Sequence, residues 1–240
     1  MPRGLPDYYN PDTAVSQRVV DMTSIMASIV RVAPIDGLGR PAFIETFGEG
    51  ADRWHLDASG DAVVPVVKTQ LPEITPASLY LDAGTLTGAG TCSALTQFFH
   101  PEATRFGFEV SISFIYDMGR MEVGIDVETG ATEYTALWDM NIQTGALRLQ
   151  VAGGMVTLDT LPWATSPYLW LPIKFAFDVS TGKYERFIMG SKRYDVSSYS
   201  MQTVPTTHAG RVFIGCQAYA TGDGSNTIKL GHAILTLDEP

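Results

Sequence analysis

Only two cysteines, Cys92 and Cys216, occur in 240 residues. That excludes a disulfide-stapled framework, and two thiols so far apart cannot by themselves build a zinc site. Both fall in strand-like segments, TCSALTQFF and RVFIGCQAYA. They are either buried free thiols or, if those strands lie side by side, one disulfide. No basic run is present: 16 Lys and Arg stand against 26 Asp and Glu, for a net charge of −10. Phosphate binding needs clustered cations, so nucleic acid is not the expected partner, and the acidic surplus serves solubility. No apolar run reaches membrane-spanning length. The opening MPRGLPDYYNPD lacks the apolar centre of a secretory leader, which points to folding without classical export. The four histidines, His55, His100, His208 and His232, lack metal-ligand spacing. There is no Gly-x-Ser-x-Gly elbow, and GTLTGAGT lacks the Gly-Lys-Ser/Thr ending of a phosphate loop, so it reads as a turn or bulge.

What is present falls into two parts. Residues 1–40 open with a Pro-, Gly- and Tyr-rich arm, and Asp12 then offers an N-cap. Apolar residues follow at Val15, Val19, Met22, Met26, Ile29 and Ala33, the alternation of four and three that makes an a/d seam, and Pro34 ends it. A helix this short needs something to pack on. The seam is either a self-association or docking face, or the side that lies on its own domain. A competing reading makes SIVRVAP a strand paired through IDGLG with PAFIETF.

From Pro41 to Pro240 the apolar period changes to two. In RFGFEVSISFI, Phe106, Phe108, Val110, Ile112 and Phe114 face one way. In MEVGIDVET, Met121, Val123, Ile125 and Val127 do the same. YLWLPIKFAFD aligns Leu169, Leu171, Ile173, Phe175 and Phe177, while its Pro172 suggests an edge position or a bulge. About thirteen strands at short spacing, with no helix between them, predict an all-β antiparallel sandwich rather than βαβ units.

The segment Phe43-Ile44-Glu45-Thr46-Phe47-Gly48-Glu49-Gly50 with Trp54 resembles the entry of concanavalin A-like, or laminin-G-like, jelly rolls. The resemblance implies that the closing strand, Gly231–Asp238, returns beside the first. Laminarinase-like members of this fold carry Glu-x-Asp-x-Glu on one strand, facing the substrate groove. Here the corresponding run is Gly124-Ile125-Asp126-Val127-Glu128, with Gly124 at the nucleophile's place and Glu122 one pleat pair away. A retaining glycosidase needs two carboxyl groups in facing positions, so this strand reads as a solvated acidic face and the protein as a non-enzyme. Calcium is a common ligand of such lectins, and Asp117 or Asp223 offers oxygen. Neither stands among clustered acids, so no cofactor and no metal site is expected.

Carbohydrate binding needs exposed aromatic rings beside polar groups. Trp163 sits in the loop-like LPWATSP, and Trp170 shares its strand face with Lys174 and Asp178, which points it outward. Trp54 reads as a core plug. An arm and helix before a jelly roll with no catalytic set lead to the expectation of a phage virion structural protein, of capsid decoration, tail or fibre type. Such a protein is assembled in the host cytoplasm and held to copies of itself or to other virion proteins by its leading segment. The alternative expectation is an extracellular carbohydrate-binding module or lectin.

Overall fold

The computed structural model describes residues 36–68, 77–85, 90–99, 102–115, 119–161, 170–220 and 227–240, with 114–115 as backbone only. The predicted helix with Val15, Val19, Met22, Met26 and Ile29 lies outside the described residues, as do Trp163, Asp117 and Asp223. Sixteen strands run through the rest: β1 (Arg40–Glu45), β2 (His55–Ser59), β3 (Val63–Lys68), β4 (Ser78–Asp82), β5 (Thr91–Phe99), β6 (Arg105–Ile115), β7 (Arg120–Thr129), β8 (Thr132–Asn141), β9 (Ala146–Val151), β10 (Gly154–Thr160), β11 (Leu171–Asp178), β12 (Lys183–Met189), β13 (Lys192–Tyr194), β14 (Gln202–Pro205), β15 (Ala209–Tyr219) and β16 (Thr227–Leu237). All pairings are antiparallel, and no helix occurs among the described residues.

Two sheets of eight strands stack face to face. The back sheet runs β13-β12-β11-β6-β16-β4-β3. β1 shares the far side of β16 with β4, so first and last strands lie together as the resemblance implied. The front sheet runs β10-β9-β8-β7-β15-β5-β2, with β14 beside the first half of β8.

The period-two alternation fills the space between the sheets. Phe106, Phe108, Val110 and Ile112 of β6 and Ile173, Phe175 and Phe177 of β11 are fully buried. On the front sheet Met121, Val123, Ile125, Val127, Val212 and Ile214 belong to the same core. Trp138 of β8 meets Phe187 of β12 edge to face, 6.1 Å between centroids. Each fully buried side chain of this size contributes roughly 1.5–3 kcal/mol.

Trp54 is buried against Phe43 and Phe47, as a core plug should be. Phe47 holds a left-handed φ of 57°. That conformation is costly for a bulky residue, and the Glu45 carboxylate stabilises it by accepting from the Phe47 and Thr46 amides at 2.8 and 3.0 Å.

Two expectations are corrected, and the alternative left open for the cysteines is resolved as buried free thiols. Pro172 lies in a central strand, not at an edge. It stands one residue past the last register pair of β11 with β12, Ile173 with Met189, so its missing N–H faces the Gly190 turn, whose amide donates to the Pro172 carbonyl at 2.8 Å. The described strands number sixteen rather than about thirteen, because β2, β13 and β14 are short and carry little apolar signal. Cys92 and Cys216 are on paired strands but not opposite each other: Cys216 faces Ala94, and Cys92 faces Ala218. Both are free and buried, and burial pushes each thiol up to about 12.

Candidate functional site

The two sheets present different outer faces. On the front sheet, β7 puts Arg120, Glu122, Gly124, Asp126 and Glu128 outward, and β15 puts Arg211, Phe213, Gly215, Gln217 and Tyr219 beside them. Gly124 and Gly215 are direct partners. Leu137 of β8 pairs with Gly124, and Leu95 of β5 pairs with Gly215. A Cβ added at Gly124 would come within 3.3 Å of Leu137 Cδ1, and one at Gly215 within 3.2 Å of Leu95 Cδ1. The result is a strip of bare backbone in the middle of the sheet, with a leucine at each end.

Polar networks border the strip on both sides. Above it, the Arg120 guanidinium donates to Glu122 and, at 2.6 Å, to Asp139 of β8. Arg148 of β9 holds the same Asp139 through two nitrogens, one at 2.7 Å. Asp139 is wholly buried between the two guanidiniums, and this pairing pushes Arg148 further up. Tyr219 donates its hydroxyl to Glu122, and Arg120 lies 5.1 Å from its ring centroid. Below the strip, Asp126 lies between Phe213 and Thr135. Burial first, then the neighbouring Glu133 and Glu128, push its carboxyl up against the opposing hydrogen bond from Thr135.

Glu128, one pair further along, is buried and held by Arg211, with Thr206 and His208 at 3.3 and 3.4 Å. Burial raises its carboxyl, but Arg211 and His208 more than offset that, and the net direction is down. The Arg211 guanidinium also lies 5.6 Å from the Phe213 ring. The strand expected to be a solvated acidic face is therefore an engaged one. Glu128 is bonded across strands to Arg211 and Glu122 to Arg120 on its own strand, whereas Asp126 has no ion-pair partner among the described residues. Fixed acceptors, amides and ring faces around an open backbone floor can take up hydroxyl donors and the C–H faces of a ligand.

The centre of the outer face of the back sheet is dry. Lys174 of β11 is wholly buried and meets Asp36 at 2.7 Å, Glu239 at 3.0 Å and the Leu38 carbonyl at 2.8 Å. Arg186 of β12 binds the same two carboxylates. Gly107 leaves room for Glu239: a Cβ there would sit 2.3 Å from its Oε1. Residues on both sides of the β1–β16 pair are thus clamped to one face. Lys174 is the residue taken to mark a solvent-facing side for Trp170. Trp170 is half-buried and lies over Gly231, where a Cβ would be 2.6 Å from its Cζ3.

The sequence named Glu122, Asp126, Glu128 and Gly124 on this strand. It missed Tyr219 and Arg211 as their partners, because those come from β15, 97 and 83 residues away, and it missed the Arg120–Asp139–Arg148 group, which depends on the register of three consecutive strands. Among the described residues no group of three or more His, Cys, Asp and Glu is placed to hold a metal ion.

No protein-family model matches the chain, and no curated protein sequence matches it. Solved structures match in fold. A protein of the Shiga toxin-encoding bacteriophage phi24B, described as the conserved carbohydrate esterase vb_24B_21, superposes with a TM-score of 0.57 over 84% of this chain and 100% of its own, at 10% identity. The cellulose induced protein Cip1 superposes with a TM-score of 0.53 over 81% and 96%, at 14% identity. Lectin I-B4 from Griffonia simplicifolia gives 0.46 over 82% and 98%, at 13% identity. The sandwich is a jelly roll of the concanavalin A-like kind.

Proposed function

We propose that this chain is a non-catalytic, glycan-recognising structural component of a phage particle, which reads its ligand on the outer face of the front sheet. The observation that carries the reading is the Gly124–Gly215 strip, open between Tyr219 with its Glu122–Arg120–Asp139 network on one side and Phe213 with Asp126 on the other. Sugars are bound by such combinations of oriented hydrogen-bonding groups and aromatic faces. The match to the phi24B esterase supports both a carbohydrate ligand and a phage setting. At these identities only the fold is shared, so function must stand on the site.

The particle role has its own structural support. Asp36, which adjoins the leading segment 1–35, is held on the outer face of the back sheet, on the far side of the sandwich from the strip. A chain attached through residues 1–35 would present the strip outward. The non-catalytic reading is supported, against a two-carboxylate glycosidase, by Gly124 standing where that nucleophile would be and by Glu122 and Glu128 being tied to arginines. A carboxylate held in an ion pair makes a poor general acid.

Binding to an immobilised panel of bacterial and plant polysaccharides tests the reading. Gly124→Thr and Gly215→Thr fill the strip; neither glycine has a left-handed φ, and the added side chain needs Leu137 or Leu95 to give by only a few tenths of an ångström. Each is expected to weaken binding at least tenfold while leaving the unfolding midpoint within a few degrees. Binding that survives both substitutions places the site elsewhere. Release of reducing sugar that disappears in Asp126→Asn overturns the non-catalytic part.

A further inference from the structure

We infer that the glycan taken up on the front sheet is neutral, a chain of unsubstituted sugars rather than a uronate, sialate or sulfated polymer; this rests on the glycan-recognition reading. Recognition of a sugar carboxylate or sulfate needs a cation free to form charge-assisted hydrogen bonds. None of the eight strands of the front sheet contains a lysine. Its outward arginines are all committed: Arg120 to Glu122 and Asp139, Arg148 to Asp139, and Arg211 to Glu128. Freeing Arg120 and Arg148 for a ligand would strip a wholly buried Asp139 of its counter-charges, which low-dielectric surroundings penalise heavily.

The remaining charges point the same way. Asp126 stands beside the strip with Glu128 and Glu133 near it, and these neighbours already disfavour its ionised form. An anionic ligand laid over Gly124 would add another negative charge to that group. A neutral sugar instead brings hydroxyl donors that Asp126 and Glu122 can accept, and acceptors that Gln217, the outward partner of Glu122, can satisfy. Rejection by like charge is a common source of ligand specificity.

Titration of the full chain at low ionic strength with size-matched polymers tests this, using dextran, laminarin and galactan as neutral probes and polygalacturonate, alginate and heparan sulfate as acidic ones. At least tenfold tighter binding of one or more neutral probes than of every acidic one is expected, with the gap narrowing as salt rises. Asp126→Asn is expected to narrow the gap at low salt by strengthening acidic binding about threefold or more. Preferential binding of an acidic polymer overturns the inference while leaving glycan recognition intact. No binding of any polymer, neutral or acidic, overturns both.

Discussion

On the back sheet, Lys174, Asp36 and Glu239 meet with side chains at most 1% exposed; on the front sheet, Arg120, Arg148 and Arg211 hold their acids while 26–32% exposed. Both networks are built from ion pairs, yet they serve different ends. A dry network has no water to replace a lost partner, so it fixes one geometry and fails when a member is removed. A network whose outer side touches water can be overlaid by a ligand without giving up its pairs, and its ion pairs contribute less to stability. The first fixes the segments before β1 and after β16 onto the sandwich. The second holds a surface in shape without sealing it.

The contrast breaks most readily at Lys174. Lys174→Met keeps the length of the stem and removes the charge, leaving Asp36 and Glu239 facing each other with Arg186 alone. A loss of about 3–5 kcal/mol is expected, read as a lower urea midpoint at unchanged slope. The double variant with Glu239→Gln should lose less than the sum of the two single changes, because the strandedness of each charge depends on the other. A cost for Lys174→Met below about 1 kcal/mol would show that this face is wetter than its geometry indicates, and the two regions would no longer differ in kind.

How much of this was legible follows from sequence separation. Phe106 to Ile112 and Met121 to Val127 announce their strands because a period of two is local and apolar, and a buried face enforces it. The entry run from Phe43 to Trp54 is equally local. The strand β2 was not legible: HLDAS turns only Leu56 and Ala58 inward. Lys174 looked solvent-facing because nothing beside it in the sequence is acidic on the same face before Asp178; its partners Asp36 and Glu239 arrive from opposite ends of the chain, 138 residues away in the first case. Likewise Arg211 is 83 residues from Glu128, and Tyr219 is 97 from Glu122. A strand shows its own alternation, but which outward acid finds a cation depends on sheet order, and the order β7-β15-β5 is a crossover that local pattern does not encode.

A middle-sized effect sharpens the comparison from the front side. Asp139 is buried, but both of its arginine partners reach water. Asp139→Asn leaves two guanidiniums that can turn outward, so the expected cost is about 1–3 kcal/mol, below that of Lys174→Met. Thermal unfolding of the two variants side by side orders them. The reverse order would mean that the front network, not the clamp, is the more deeply committed of the two.

The smallest effect concerns pH, and here the two acids of one strand should act with opposite sign. Glu128 has its carboxyl held down, so its contribution is present above the ordinary glutamate range and is lost as pH falls through its lowered value. Asp36 on the back sheet behaves the same way, with burial opposed and outweighed by Lys174 and Arg186. Asp126 has its carboxyl pushed up, so its favourable contribution belongs to the protonated side and disappears as pH rises through the raised value. Asp126→Asn should therefore leave stability unchanged below about pH 4, the ordinary aspartate range, and increase it at neutral pH. The gain should be no more than about 1 kcal/mol, because the group touches water. Glu128→Gln should do the reverse, costing stability at neutral pH and nothing in strong acid. Urea titrations at pH 3 and pH 7 read both. If Asp126→Asn destabilises at pH 7, its carboxylate is held by a cation on that face, and the charge argument for a neutral ligand loses its central residue.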